Sequence, residues 1–311
     1  MSFKRILVPV DFSDYSEPAA RVAVQLAADH GGELVLLHVV PTALSGFVAV
    51  EPVSFPPQVV AAMETGRIAK AKEQLAELKT KLAPLAADTR IDVDVRSGGS
   101  VDSIITHANQ MNADLIVMGS QGIGADGRLL FGSVSTKVSR SASCPVLITS
   151  AETPTPGHNI FKRALVAIDY SDFSAPVAAL ARAIISEGGL LDFTHIWNAP
   201  FHSPLDRALG PYDDWQDTLE QLRGAQAKML ARFVDEQKLS GVKVERYVGV
   251  ASPAKGLLDR IDATDPDLLV LGAHSRDSII EKILGTVADR VLRRASVPVL
   301  LLPSGGVSRW S

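Results

Sequence analysis

The sequence has a single cysteine, Cys144, among its 311 residues. One cysteine excludes an internal disulfide framework and cannot by itself make a zinc site. Aromatic residues make up only 5% of the chain, too few for a surface that stacks single-stranded bases. Acidic residues outnumber basic ones, 35 against 31, so the chain lacks the basic face typical of nucleic-acid-binding proteins. We therefore expect a protein that does not bind nucleic acid.

Long apolar runs are also lacking. No run approaches the ~18 residues that would cross a bilayer, and the first one, Ile6–Val10, ends after five residues at Asp11. It is too short for the apolar region of a secretory signal. The seven histidines show no paired metal-binding spacing, so no metal site is expected. These absences predict a cytoplasmic protein that does not associate with membranes.

The sequence does contain an internal repeat. Two segments near the start and end of the first half recur in the second half, and they align Asp11 with Asp169 at an offset of 158 residues and Gly119 with Gly272 at an offset of 153. A repeat of this length indicates a duplicated domain and not a solenoid. We expect a first domain over 1–150, a linker over 151–160, a second domain over 161–304 and a tail over 305–311 that is frayed.

Each copy alternates short apolar strands with helices, which predicts a parallel sheet covered on both faces. The long helix of each copy carries an apolar stripe with a spacing of three or four residues, and this stripe predicts its buried face. The stripe residues are Ile68, Ala71, Leu75, Leu78 and Leu82 in the first copy and Leu219, Leu222, Ala225, Met229 and Phe233 in the second.

A glycine-rich loop follows the fourth predicted strand, and Asp11 follows the first. Ligands of open α/β sheets bind beyond the carboxyl ends of the strands. Glycines permit positive φ and let backbone N–H groups approach a phosphate, and the helix that opens at Gly132-Ser133 attracts anions. Two interpretations remain open for these residues. The loop is a phosphate site, or it is a flexible turn in which Ser133 caps a helix and Asp11 is a turn residue.

The spacing Gly119-x2-Gly122-x9-Gly132-Ser133 resembles the ATP-binding signature of the universal stress protein family, in its tandem form. The start Val8–Ser13, the pair His38-Val39 and the final strand Cys144–Ile148 are similar to that family as well. The resemblance covers both copies. It implies an α/β fold of two tandem doubly wound domains, each a five-stranded parallel sheet in the order 3-2-1-4-5 with helices on both faces.

The resemblance implies that the first copy binds ATP, with or without Mg²⁺. Asp11 would contact the ribose and the backbone of Val39 the adenine, with Pro9 and Val10 beside them. The phosphates would contact Gly119, Gly122, Gly132, Ser133, Val134 and Ser135. No catalytic residue is predicted. The expected partners are the adenine nucleotide, a protein of unknown identity and a second copy of the chain in a homodimer.

The second copy departs from the signature, because Ser275 stands where the second glycine belongs. If that position needs positive φ, a serine there is strained by ~1 kcal/mol or more. We therefore expect a weaker second site, with Trp197 near its adenine position. Its residues are Asp169, Gly272, Gly285 and Thr286.

Two functions compete for the first site. One is a nucleotide-dependent regulatory protein of the stress response with little or no turnover, and the alternative is a slow ATP hydrolase or other adenine-nucleotide enzyme that uses the same crevice. Phosphoryl transfer needs carboxylates that hold a metal and a group that orients the nucleophile. The charged candidates are only Asp126 and Arg128 of the loop and Asp11 across the crevice. Asp126 and Arg128 are both expected at a solvated loop tip. This scarcity favours binding over catalysis.

Overall fold

A computed structural model describes residues 2–42, 57–85, 88–122, 132–150, 153, 160–198, 215–273 and 284–310. The chain divides into two units, Met1–Ile160 and Phe161–Ser311. The predicted linker, 151–160, lies almost wholly outside the described residues, as do Ser275, Asp126 and Arg128.

The described strands of the first unit form a parallel sheet in the order β3-β2-β1-β4-β5. They are β1 (Arg5–Pro9), β2 (Glu33–Val40), β3 (Arg90–Ser97), β4 (Leu115–Gly119) and β5 (Val146–Thr149). In the centre of the sheet, Leu7 of β1 pairs with Val35 on one side and Ile116 on the other. The strand order reverses between β1 and β4, so a crevice opens where these two strands end.

The described helices of this unit are α1 (Ser16–His30), α2 (Pro57–Leu82), α3 (Ser100–Gln110) and α4 (Ser133–Ser141), with a 3-10 turn over Ala83–Leu85. α1 ends at Gly31, whose φ of 58° is the left-handed cap that a glycine adopts without cost. α2 buries the predicted residues Ala71, Leu75 and Leu78. None of the helices in the described part of the chain combines the length and the apolar character that a membrane crossing requires.

The second unit repeats this arrangement, with its described strands in the order β8-β7-β6-β9-β10. The strands are β6 (Arg163–Ala167), β7 (Leu190–Trp197), β8 (Lys243–Val250), β9 (Leu268–Gly272) and β10 (Val299–Leu302), and the helices are α5 (Ser174–Ile184), α6 (Trp215–Glu236), α7 (Pro253–Thr264) and α8 (Thr286–Leu292). The predicted fold class and the order 3-2-1-4-5 are confirmed in both units.

The predicted buried face of α6 is wrong for the middle of the stripe, although Leu219 and Phe233 at its two ends are half-buried. Leu222 is 37% exposed and Met229 is 49% exposed, whereas Leu230 and Val234 are buried. The stripe of Leu222, Ala225 and Met229 has helical spacing but lies on the open side of the helix. Periodicity identifies an apolar face, but it does not show that anything packs against that face.

The chain after Leu302 also differs from the prediction of a frayed end. Ser304–Arg309 forms a 3-10 helix, and the Trp310 side chain that follows is only 6% exposed. Burial of a large indole stabilises this turn, because the apolar area that it removes from water offsets the entropy lost when the end is ordered.

Candidate functional site

A cavity of about 1200 Å³ opens where β1, β2 and β4 end. All ten residues predicted for the first site line this cavity, together with residues from α2 and the start of α3. The predicted residues are Pro9, Val10, Asp11, Val39, Gly119, Gly122, Gly132, Ser133, Val134 and Ser135. The sheet order therefore brings three distant stretches of sequence to one crevice.

The Asp11 carboxylate is held in one orientation by the turn that follows β1. Its Oδ1 accepts hydrogen bonds from the Ser13 N–H at 3.1 Å, the Ser13 hydroxyl at 2.6 Å and the Ser16 hydroxyl at 2.6 Å. Hydrogen bonds to a charged acceptor are stronger than neutral ones. Asp11 is thus both a turn residue and a cavity residue. The hydrogen bonds of the turn orient the carboxylate that lines the cavity.

Gly122 lies against the other carboxylate oxygen. A Cβ at this position would overlap Asp11 Oδ2. The φ of Gly122 lies outside the left-handed region, so the glycine is needed for space and not for backbone freedom. A serine in the backbone conformation of Gly122 would therefore not be strained by a positive φ, contrary to the expectation for the aligned Ser275.

Gly119 has a packing role. A Cβ there would lie 2.6 Å from Tyr15 Cβ and 2.9 Å from the Tyr15 carbonyl oxygen, so only a glycine lets the end of β4 approach the start of α1. The aligned Gly272 faces Phe173 more loosely, with Phe173 Cβ 3.2 Å from a built Cβ. These two glycines are explained without a ligand.

The N-terminus of α4 forms one wall of the cavity. Gly132 caps the helix with φ −62° and ψ 141°, and its N–H donates to the Ser120 carbonyl at 2.8 Å. The Ser135 hydroxyl is buried and donates to the Gly119 carbonyl at 2.9 Å. Ser133 is exposed to the cavity. The unpaired N–H groups of the first turn and the Ser133 hydroxyl can bind an anion, whereas Ser135 ties α4 to β4.

A histidine and an aromatic ring hold the turn that carries Asp11. Phe12 has a φ of 63°, which is uncommon for a bulky residue, and its ring centroid lies 4.6 Å from that of His38. His38 Nδ1 lies 2.7 Å from the Val10 carbonyl oxygen. A carbonyl only accepts, so Nδ1 carries the proton and donates.

The second unit repeats this arrangement of an aromatic ring and a histidine. Tyr170 has a φ of 59°, its ring lies 4.6 Å from His195, and His195 Nδ1 lies 2.7 Å from the Ile168 carbonyl oxygen. The contacts of His38 and His195 therefore give both histidines a structural role in the turn. The aromatic residue after the aspartate recurs in both copies of the sequence and could have been singled out.

Sequence reasoning missed Arg67, Lys70 and Gln74 of α2, which line the first cavity. Arg67 Nη1 donates to the Pro41 carbonyl oxygen at 3.3 Å, and within the described residues neither cation forms an ion pair with a carboxylate. Cations that lack such a partner favour an anionic ligand. The feature of the sequence that could have identified these residues is their position on α2, within about one turn of the buried Ala71.

The second unit has a smaller cavity of about 480 Å³, which Asp169, Gly272, Gly285 and Thr286 all line. Asp169 Oδ1 accepts from the Ser171 N–H at 3.0 Å, the Ser171 hydroxyl at 2.5 Å and the Ser174 hydroxyl at 3.2 Å. The aspartate turn is therefore kept. Trp197, expected near the second adenine position, is not among the lining residues, although Ile196 is.

The wall made by the long helix differs between the units. The Tyr170 hydroxyl lies 3.5 Å from the Gln226 carbonyl oxygen of α6, and burial raises its pKa to about 12. Within the described residues, α6 contributes nothing to the second cavity. Aligning the buried positions Leu75 and Leu230 places Leu222, Ala225 and Met229 opposite Arg67, Lys70 and Gln74.

No group of three or more His, Cys, Asp or Glu side chains that could hold a metal ion occurs in the part of the chain that the structure describes. Mg²⁺ commonly binds through one or two carboxylates together with the phosphates of its ligand. Among the described residues, Asp11 is the carboxylate that lines the first cavity, and the Ser13 and Ser16 hydroxyls donate to one of its oxygens.

Comparison with known proteins agrees with the duplication. A family model described as the universal stress protein family matches residues 2–150 and 160–303. A universal stress protein of Mycolicibacterium smegmatis is 29% identical over 303 residues, which cover 96% of this chain and 96% of that one. The universal stress protein Rv2005c of Mycobacterium tuberculosis is 29% identical over 306 residues, covering 95% and 96%.

Shorter relatives match one half. The universal stress protein YxiE of Bacillus subtilis is 34% identical over 155 residues, which cover 47% of this chain and 98% of that one. Among solved structures, a universal stress protein from Archaeoglobus fulgidus has a TM-score of 0.63 and 23% identity, and the match covers 96% of this chain and 97% of that one. The structural likeness supports the fold.

Proposed function

The chain belongs to the universal stress protein family, and on that premise we propose that its first cavity binds ATP and that the protein acts as a nucleotide-dependent regulator of the stress response. The observation that carries the proposal is the meeting of Asp11, Gly122 and the N-terminus of α4 in one cavity. A carboxylate suits sugar hydroxyls, and a helix N-terminus beside a glycine suits phosphates.

In the proposed complex the ribose hydroxyls donate to the Asp11 carboxylate, which Ser13 and Ser16 already orient. The phosphates lie against Gly122, Gly132 and the Ser133 hydroxyl at the start of α4. A larger residue at position 122 would disturb this arrangement, because its Cβ would collide with Asp11. Mg²⁺, where it accompanies ATP, would be held mainly by the phosphates and so partly neutralise their charge.

The adenine lies at the end of β2, against the backbone of Val39. The turn at Phe12 and His38 borders this end of the cavity, and Arg67 and Lys70 add positive charge on the wall above it. These cations belong to α2, and Arg67 donates to the Pro41 carbonyl oxygen just beyond β2, whereas the proposed phosphate position is at the start of α4. We assign them to the general attraction of an anionic ligand.

We propose binding with little or no turnover. Asp11 contacts the sugar in this arrangement, so it does not orient a water molecule against the terminal phosphate. Such an orienting group is a recurring part of phosphoryl transfer. A protein that binds ATP without turnover acts by presenting a nucleotide-dependent surface, and we place that action in the cytoplasm, on a protein partner or within a homodimer.

The proposal is tested by denaturing the purified full chain and identifying the released nucleotide by chromatography, followed by calorimetric titration with ATP and 2′,3′-dideoxy-ATP. We expect ATP to bind more tightly than the dideoxy compound, because only ATP offers hydroxyls to Asp11. Equal affinities would contradict the role of Asp11. Absence of any adenine-nucleotide binding would contradict the proposed function.

A further inference from the structure

A histidine attaches helix α3 to the sheet at a place outside the nucleotide site. His107 Nδ1 lies 3.4 Å from Asp94 Oδ2 of β3 and 3.5 Å from Arg96 Nη2 of the same strand. Arg96 Nε donates to the same Asp94 oxygen at 2.7 Å. The His107 side chain is only 13% exposed, and none of the three residues lines the first cavity. They form a polar contact between the helix and the strand.

The second unit attaches the aligned helix α7 at the same place with different residues. The helix caps align His107 with Arg260, and the strand registers align Asp94 with Tyr247. Arg260 Nη2 and Nε lie 2.7 Å and 3.0 Å from Oδ2 of Asp192, a buried residue of β7. The guanidinium carbon lies 4.2 Å from the centre of the Tyr247 ring. Both units thus place a basic residue of the helix against an acidic residue of the sheet.

The two attachments differ in whether the basic residue titrates. An arginine stays charged in proteins, whereas a histidine changes its charge at mildly acidic pH. A guanidinium only donates hydrogen bonds, so the contact of Arg96 with His107 Nδ1 is favourable only while that nitrogen carries no proton. Protonation of His107 replaces this contact with a repulsion between two cations.

The unprotonated form of His107 favours the packed position of α3. Burial lowers the pKa of His107 below its ordinary value of 6.5, the Asp94 carboxylate opposes this change, and Arg96 lowers the pKa further. The packed helix therefore binds this proton more weakly than a hydrated histidine does. The contribution of His107 to the attachment is complete above about pH 6.5 and is lost as the pH falls towards the lowered pKa.

Among the described residues, the elements that pack against α3 bring no further charge that acts on the pKa of His107. β2 presents the apolar Val35 and Leu37 on the face of the sheet that carries Asp94. The remaining titratable side chains of β2, β3, α3 and α4 are Glu33, His38, Arg90, Asp92, Asp102, Lys137 and Arg140. The response of the attachment to pH is therefore a property of His107, Asp94 and Arg96.

α3 also forms part of the wall of the first cavity. Ser100 and Ile104 line this cavity, and His107 follows Ile104 by three residues, so it lies on the same side of the helix about one turn further on. In the second unit, Leu257 lines the cavity and Arg260 follows it at the same spacing. The attachment therefore holds the part of the helix that faces the ligand.

We propose that His107 is a positioning residue for the nucleotide site, which holds α3 against the sheet while it is neutral and loosens the helix when it is protonated, so that ATP affinity falls in acid. This role rests on the proposed binding of ATP in the first cavity and adds a regulation of that binding. The protein would then lose its nucleotide on acidification. The attachment of α7 does not respond in this way, because Arg260 keeps its charge.

The test measures the ATP affinity of the full chain by calorimetry at pH 7.5 and pH 5.5. His107→Gln removes the titrating group, and His107→Arg copies the second unit. His30→Gln is the matched control, because burial also lowers the pKa of His30, which ends α1 and does not line the cavity. We expect acidification to weaken ATP binding by about threefold or more in the unmodified chain and in His30→Gln, relative to both His107 variants.

Titration of the ATP phosphates or of His38 is common to all four proteins and cancels in this comparison. Equal pH dependence in the unmodified chain and in His107→Gln, with ATP bound at pH 7.5, overturns the role of His107 and leaves the proposed function intact. An equal loss of the pH dependence in His30→Gln also overturns that role. Absence of ATP binding at pH 7.5 contradicts both.

Hydrogen exchange of the α3 amides provides a second readout that needs no ligand. After correction for the intrinsic effect of pH on exchange, we expect α3 to be less protected at pH 5.5 than at pH 7.5 in the unmodified chain, and equally protected at both in His107→Gln. Equal protection at both pH values in the unmodified chain would show that α3 is not loosened. Circular dichroism of each variant confirms the fold.

Discussion

The two halves of the chain keep the same turn after their first strand but build different walls above it. In both, an aspartate accepts hydrogen bonds from two serines. In both, a strained aromatic residue packs on a histidine. The surrounding helices have diverged, since α2 lines a large cavity with two cations and α6 gives its cavity nothing among the described residues. Hydrogen bonds and ring contacts within the turn thus maintain its conformation, and we propose that the surrounding helices determine which ligand each cavity binds.

The largest expected effect is that of Gly122→Val in the first cavity. The valine side chain would collide with the Asp11 carboxylate and fill the space proposed for phosphate, so ATP binding should be abolished. Gly66→Val is the matched control, since nothing lies within 4 Å of a Cβ at Gly66 of α2. Calorimetry and circular dichroism provide the readout. Unchanged ATP affinity in a normally folded Gly122→Val protein would remove the glycine from the site.

A second prediction separates packing from binding. Gly119→Ala should destabilise the first unit by about 1–3 kcal/mol, the usual range for overpacking, because the new Cβ meets the backbone of Tyr15 at 2.9 Å. Gly272→Ala should cost less, since the closest atom of Phe173 is 3.2 Å away.

Denaturant unfolding of the two alanine variants checks this order. The three tryptophans, Trp197, Trp215 and Trp310, all lie in the second half of the sequence, so their fluorescence reports that unit and circular dichroism reports both. A larger loss of stability in Gly272→Ala than in Gly119→Ala would contradict the packing account.

The smallest expected effect is a pH dependence of the second unit. Burial lowers the pKa of His195 below its ordinary value of 6.5. The unfolded state therefore binds a proton at a higher pH than the folded state does. Stability from this group is complete above about pH 6.5 and is lost as the pH falls towards the lowered pKa. We expect tryptophan-monitored unfolding to show lower stability at pH 5.5 than at pH 7.5, and His195→Gln to reduce the difference. An unchanged difference in His195→Gln would assign the effect to other groups.

Much of the fold could be predicted from the duplication, and the residues that line the first cavity could be predicted from the resemblance to the universal stress protein family. The reasons behind individual residues could not. The need for a glycine at position 122 comes from the side chain of Asp11, more than a hundred residues away in sequence, and no local pattern shows that contact. The same applies to Gly119, whose neighbour is Tyr15.

The error in the predicted face of α6 came from taking helical periodicity as evidence of burial. Leu222 and Met229 satisfy the helical spacing, yet they are exposed, because only tertiary packing decides which apolar face is covered. Arg67 was missed for a related reason. An isolated arginine on an amphipathic helix is usually a solvated residue, and only the cavity that it lines distinguishes it from others.

The most direct test of the difference between the halves is an ATP titration of the full chain and of the matched variants Asp11→Ala and Asp169→Ala. We predict one strong ATP-binding event per chain, weakened about tenfold or more by Asp11→Ala and kept by Asp169→Ala. Two equal events in the unmodified chain, or loss of the strong event in Asp169→Ala, would contradict the assignment of ATP to the first cavity.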